Sequence, residues 1–308
     1  MQVACPSCGA FTAIEKAFCI RCGERIVPLT RYDLGAADFI YPPDRDAMES
    51  LRGFEALSPI LDELVVKRYI RSALSRLEKS SRHIDFSSML GSMVRECGIM
   101  LGLQRLPKIY LLEEDLPTAF TFGTRSRQFL VLSSGLLEIL DDDEVKAVIG
   151  HECGHIKCHH IKYHTLAEML VMGAELSLEL VGGILNMVSP LLRLMLLSWH
   201  RESEISADRA ALIVSGDPAK PVSLLKKLAR IAPISEDRAV EPLSTHPTHE
   251  ERINRLIEYY RSQEYAAVRR KVEWRLEISK ALTPSCRFCG GAKPIVSLFC
   301  PRCGKSQI

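Results

Sequence analysis

The absences in this chain of 308 residues narrow it first. There is no excess charge of one sign: 40 Lys and Arg stand against 38 Asp and Glu, a net of +2. That leaves no electrostatic footprint for nucleic acid or an acidic substrate. There is no secretory pattern at the start, because Met1-Gln2-Val3-Ala4-Cys5 runs straight into paired cysteines without a basic stretch or an apolar core. This predicts a cytoplasmic location. Nor is there a compositional bias; 47% apolar and 25% charged residues fit one substantial globular domain with small appendages. Long apolar runs are scarce, with one exception in residues 166–199. Leu180–Ser198 approaches the roughly 20 residues that span a bilayer, yet it holds Asn186, Pro190 and Arg193 and follows Glu168, Glu175 and Glu179. Two readings stand: a buried or amphipathic helical hairpin, or a membrane-dipping hairpin attaching the chain to the cytoplasmic face of the membrane.

Cysteine, by contrast, is plentiful, with 11 in all. Eight fall into four C-x-x-C pairs: Cys5/Cys8, Cys19/Cys22, Cys286/Cys289 and Cys300/Cys303. Each second cysteine is followed by glycine (Gly9, Gly23, Gly290, Gly304), and Phe18 and Phe299 precede the second pair of each module. The two ends of the chain are therefore repeats of one another. Tetrahedral zinc takes four thiolates from two tight turns, and in a reducing compartment such spacing reads as metal knuckles rather than disulfides. The modules, residues 1–26 and 286–308, resemble zinc ribbons, which fold largely because metal binds. Cys97, Cys153 and Cys158 are scattered; Cys153 reads as a small apolar residue packed behind its helix.

Between the modules, residues 27–44 and 276–285 read as linkers and 45–275 as the main domain. Spacings of three and four at Leu51, Phe54, Leu57, Ile60, Leu61 and Leu64 predict helix from Asp44 to about Lys79, and His83–Cys97 reads as another. The period then shortens. Lys108–Leu112 and Phe129–Leu132 read as strands, with Thr118–Phe122 as an edge strand between them. Helices follow at Arg201–Ser215, Pro221–Ile231 and His249–Trp274. The fold class is α+β, mostly helical, with a small sheet.

The chemistry concentrates in His151-Glu152-Cys153-Gly154-His155. Histidines four apart share one helix face and can reach one metal ion, while Glu152 lies about 100° further round, free to handle a water there. Asp141-Asp142-Asp143-Glu144 supplies an N-cap and an acidic first turn. A zinc hydrolase centre needs a third protein ligand and an open position. A metzincin would have histidine six residues after His155; that position is Ile161, so this reading fails. His159, His160 and His164 read as surface residues. Downstream, Glu204 and Asp208 are four apart and share a face. One carboxylate can bind zinc while the other accepts the free ring N–H of a ligand histidine.

Taken with Arg201–Asp208 and Ser244-Thr245-His246-Pro247 through Arg252-Ile253, this motif resembles the HtpX-like zinc metalloproteases. These are gluzincins, a group that also holds the CAAX prenyl proteases. The likeness covers roughly residues 45–265. It implies Glu204 as third ligand and Asp208 as the residue orienting a ligand histidine. It places His246 and Arg252 near the site, stabilising an oxyanion or gripping substrate backbone. It makes Thr118, Ala119 and Phe120 part of a substrate-binding edge strand above the metal helix, where an extended peptide adds by strand pairing. The family carries asparagine where this chain has Thr118.

The expectation is a zinc endopeptidase acting on extended polypeptide, in keeping with protein quality control, with one catalytic and two structural zinc ions. Glu152 would act as general base. The alternative is a catalytically idle zinc-ribbon adaptor, but an idle relative is expected to have lost Glu152 or a ligand. The modules lack the basic-aromatic clusters of nucleic-acid readers, which leaves protein partners for them.

Overall fold

The computed structural model describes residues 2–27, 33–52, 67–124, 127–165, 190–231, 247–281, 285–293 and 297–307. Most of the apolar segment 166–199, and His246, lie outside the described residues. The helix expected over residues 44–79 is described at both ends, as α1 (Pro42–Arg52) and α2 (Lys67–Ser80). The amino-terminal module holds a short antiparallel pair, β1 (Gln2–Ala4) and β2 (Phe11–Ala13).

The main domain carries a four-stranded sheet in the order β3 (Ser81–Ile84), β4 (Lys108–Leu112), β6 (Gln128–Ser133), β5 (Ala119–Gly123). β4 and β6 run parallel, and both outer strands pair antiparallel. The expected edge strand is at the edge, one residue later than Thr118. The helix expected from His83 is a correction. His83 and Ile84 extend the sheet against Tyr110 and Ile109, and the helix α3 (Met89–Met100) starts only where Ser88 accepts a cap bond from the Gly91 N–H.

After α4 (Ser134–Ile139) comes the motif helix, α5 (Asp142–Lys157). Its start is a reciprocal cap: Asp141 accepts from the Glu144 N–H at 2.9 Å, and Glu144 accepts from the Asp141 N–H at 3.0 Å. Its partner α6 (Pro190–Ser215) extends the helix expected from Arg201 upstream by three turns and buries Leu196, Leu197 and Trp199. α7 (Ala219–Ile231), α8 (His249–Tyr260) and α9 (Gln263–Ala281) complete the order. The single helix expected over 249–274 is two. Arg261 caps the first, and Ser262 caps the second by accepting the Tyr265 N–H at 3.1 Å.

Residues 33–41 do not run free beside this core. Leu34 and Phe39 are buried in the same apolar cluster as Phe18 of the first cysteine module and Ile149 and Cys153 of α5. Asp33 accepts from both Arg25 and Arg275 at 2.7 Å, tying the first module to the last helix. The Gly23 carbonyl accepts the Leu106 N–H at 2.9 Å.

What brings α5 and α6 together is the absence of side chains. A Cβ on Gly154 would stand 2.6 Å from the Ala210 Cβ and 3.1 Å from the Ala207 Cα; one on Gly150 would stand 3.3 Å from the Ala211 Cα. The helices therefore meet backbone to backbone across Gly150, Gly154, Ala207, Ala210 and Ala211, which carries the next turns of each into register at the site. Gly154→Ala should cost about 1–3 kcal/mol of stability through overpacking, and Gly150→Ala less. Thermal denaturation checks this, and equal stability of Gly154→Ala and wild type would show that the helices do not meet there.

Candidate active site

α5 and α6 project three ligand atoms toward one point. His151 Nε2 and His155 Nε2 are 3.2 Å apart. Glu204 places Oε1 3.3 Å from the His155 Nε2 and Oε2 3.5 Å from the His151 Nε2. Zinc–nitrogen bonds of 2.0–2.1 Å in tetrahedral geometry separate ligand atoms by about 3.3 Å, so the donor set fits that ion. Glu204 is 4% exposed, and a buried carboxylate is retained only where cationic or hydrogen-bonding partners surround it.

The outer nitrogens of both histidines are held. His151 Nδ1 lies 3.1 Å from Asp208 Oδ1. Asp208 in turn receives a two-pronged grip from Arg252, whose Nε donates to Oδ2 at 2.8 Å and Nη2 to Oδ1 at 2.7 Å. Arg252 Nη1 also stands 3.3 Å from Glu204 Oε2. Burial raises the cost of the Asp208 charge, but Arg252 outweighs it and holds the carboxyl below its usual range. Burial likewise disfavours charge on His151, yet Asp208 and Glu204 together push it up to about 10.

On the other side the sequence reading needs correcting. His159 is exposed, but His160 and His164 are buried. His160 Nδ1 is 3.0 Å from His155 Nδ1, and its Nε2 is 2.9 Å from Asp44 Oδ2. Asp44 is fully buried and also accepts from Ser206 Oγ at 2.5 Å and Trp199 Nε1 at 2.8 Å. A chain His155–His160–Asp44 thus mirrors His151–Asp208–Arg252. No local pattern marks Asp44, which looks like any acidic residue in the first turn of a helix.

Glu152 is buried; burial raises its carboxyl above the usual range, with His151 and then the Thr121 side chain of β5 pulling the other way. A cavity of about 430 Å³ opens between β5 and the two helices, lined by Thr118, Ala119, Phe120, His151, Glu152 and Glu204 among others, with Arg252 also on its wall. Among the described residues β5 pairs with β6 alone, on one side. The structure therefore brings the motif, Glu204, Asp208, Arg252 and the edge strand to one place. Cys153 is fully buried in the core, as expected of a packing residue.

The eight paired cysteines form two separate clusters. Facing sulfurs are 3.6 Å apart for Cys5–Cys22 and Cys8–Cys19, and 3.6 and 3.8 Å for Cys286–Cys303 and Cys289–Cys300. Zinc–thiolate bonds of 2.3 Å give a tetrahedral edge of about 3.8 Å, whereas a disulfide is about 2.05 Å. The four glycines after the second cysteines take φ of +71°, +71°, +65° and +70°, the left-handed turn that glycine allows. The modules part in one respect: Phe18 is 1% exposed and Phe299 62%.

Two histidines one helical turn apart and a glutamate from a second helix define a gluzincin-type metallopeptidase centre. The chain belongs to peptidase family M48, whose model matches residues 86–260. Plastoglobule-localized metallopeptidase 48 of Arabidopsis thaliana is 32% identical over 218 residues, covering 69% of this chain and 61% of that protein. A protease HtpX homolog from Paraburkholderia phytofirmans is 29% identical over 211 residues, 55% of this chain and 73% of the homolog. Among solved structures, S. mikatae Ste24p matches with a TM-score of 0.45 at 18% identity, over 68% of this chain and 58% of that one.

If Asp44 holds His160 against His155, Asp44→Asn should weaken metal binding at the centre by about 10–100-fold, the usual effect of losing such a support. Competition against a chromophoric chelator measures it; unchanged affinity with an intact fold would remove Asp44 from the centre.

Proposed function

We propose that this chain is a zinc-dependent endopeptidase that hydrolyses peptide bonds in extended polypeptide, in the service of protein quality control. The observation that carries the reading is the convergence of His151, His155 and Glu204 at tetrahedral spacing beside the Glu152 carboxylate, under an edge of β5 left unpaired among the described residues. Three zinc ions are proposed: one at this centre and one in each cysteine cluster. When bound at the centre, zinc supplies a Lewis acid for a water and for the peptide carbonyl.

The chain's own groups do the rest. An extended substrate pairs with the free edge of β5 along Thr118, Ala119 and Phe120, which lays its backbone across the cavity. Glu152 takes a proton from the attacking water and returns it to the leaving amine. Its burial favours the protonated form, so accepting that proton is easier than for a solvated glutamate. Arg252 serves as a positioning residue, since its grip on Asp208 and contact with Glu204 fix the carboxylates that set the histidines. His246 is assigned to the same site by the resemblance of the Ser244–Pro247 run to the HtpX-like family.

The cysteine modules are proposed to serve folding and to offer surfaces for protein partners rather than nucleic acid. Among the described residues no helix is long and apolar enough to cross a membrane. For 166–199 both readings stand, a buried or amphipathic hairpin and a hairpin attaching the chain to the cytoplasmic face of the membrane; pelleting with membranes after a high-salt wash supports the second, and its absence the first.

Glu152→Gln keeps the side chain's size and removes the base. It should retain the fold and three zinc ions while losing about 10²–10⁴ in casein cleavage, the usual worth of general-base help. Cleavage at the wild-type rate would sink the mechanism. Wild-type protein that binds zinc and cleaves nothing would favour the adaptor reading.

A further inference from the structure

The two ends of the cavity differ in chemistry. α5 and α6 run antiparallel, since Gly150 faces Ala211 and Val214 while Gly154 faces Ala207 and Ala210. One end therefore holds His155 of α5 and His200 of α6, with His164 beside both. At the other stand Val148, one turn before His151 on the same face of α5, and Ala211, one turn beyond Asp208 on α6. The catalytic groups His151, Glu152 and Glu204 lie between the two.

α7 walls the second end. Leu224, Leu225 and Leu228 line it from one helix face, and Leu136 of α4 joins them. Leu136, Leu224 and Leu225 are buried and Leu228 is half-buried. Among the described residues, none that lines this end carries a charge. The adjoining face of α7 is polar and pinned to the start of α5. Glu144, buried in the first turn of α5, accepts from Ser223 Oγ at 2.7 Å and from Lys227 Nζ at 2.6 Å. Lys227 Nζ also donates to the Ile139 carbonyl at 3.0 Å, and Lys220 Nζ to Asp141 Oδ2 at 2.7 Å. The leucine wall is thus set before a substrate arrives, and packing against it costs little further ordering.

A substrate strand lying along β5 sends alternate side chains toward the cavity. Glu152 follows Val148 by one turn on the same face, and it is Glu152 that returns a proton to the leaving amine. The residue supplying that amine therefore lies on the apolar side of the metal-facing groups. We propose that Val148, Ala211, Leu224, Leu225 and Leu228 form a specificity pocket for a large apolar side chain on that residue: leucine, isoleucine, methionine or phenylalanine. A charged side chain would lose its water there and gain no partner. In such a pocket a single missing methylene is worth about 10–200-fold in kcat/KM. This inference rests on the peptidase reading and names the substrate class it selects.

The test is the cleavage pattern of the full-length, zinc-loaded protein on casein, with the fragments sequenced by mass spectrometry. Wild type should cut before large apolar residues and seldom before Asp, Glu, Lys or Arg. In peptides spanning the main casein site and varied only at the residue that supplies the amine, leucine should exceed alanine by at least about 10-fold in kcat/KM. Leu228→Glu, at the half-buried edge of the wall, should raise lysine and arginine above leucine at that position. Leu228→Ala, which widens the pocket, should raise tryptophan relative to leucine, and it decides alone if the glutamate variant does not fold. A purely structural role for Leu228 would lower all rates together and leave these ratios unmoved, and that result overturns the pocket. Equal cutting before charged and apolar residues also overturns it and leaves the peptidase reading intact. A zinc-loaded wild type that cuts nothing brings down both.

Discussion

Everything at the centre depends on how closely two helices approach. The histidine motif lies on α5 and its proposed third ligand on α6, so the distance between their axes sets whether His155 Nε2 and Glu204 Oε1 stand at 3.3 Å or out of range. Gly154 lies inside the motif, next to His155, and Ala207 lies between Glu204 and Asp208 in the chain. The smallest side chains are thus interleaved with the ligands themselves. Contact and chemistry share the same two turns of helix, and neither can shift without moving the other.

The second consequence is electrostatic. Glu204, Asp208, Arg252, His151 and His155 are taken almost entirely out of water, where an unpaired charge is expensive. Each is satisfied by the next, from Arg252 through Asp208 to His151, and from Asp44 through His160 to His155. These two chains enter from opposite sides, one from α8 and one from α1, so the orientation of the metal-facing nitrogens is built by elements far apart in sequence.

That explains what could and could not be read from the residues. The motif, the C-x-x-C knuckles and the Asp141 cap were legible because their chemistry lives in contiguous spacing. Glu204 was legible only in company: alone it is an ordinary helix glutamate. Asp44 was invisible, because its role exists only once Trp199, Ser206 and His160 close around it. His160 and His164 were misread as surface groups, since the turn after α5 folds back under the site instead of leading away. Phe18 and Phe299 occupy equivalent positions in matching repeats, yet one is core and the other faces solvent. A repeat reports its own geometry and not what it will be packed against.

The buried Asp44 has a further bearing on how the molecule comes apart. Severing the backbone just after it, where a sequence-drawn domain edge would fall, removes the anchor of His160 and with it Phe18, Leu34 and Phe39 from beneath α5. The amino-terminal module and the catalytic helices thus share one apolar core, and a metal held by the first cysteine cluster, as proposed, would also steady Phe18 beneath α5.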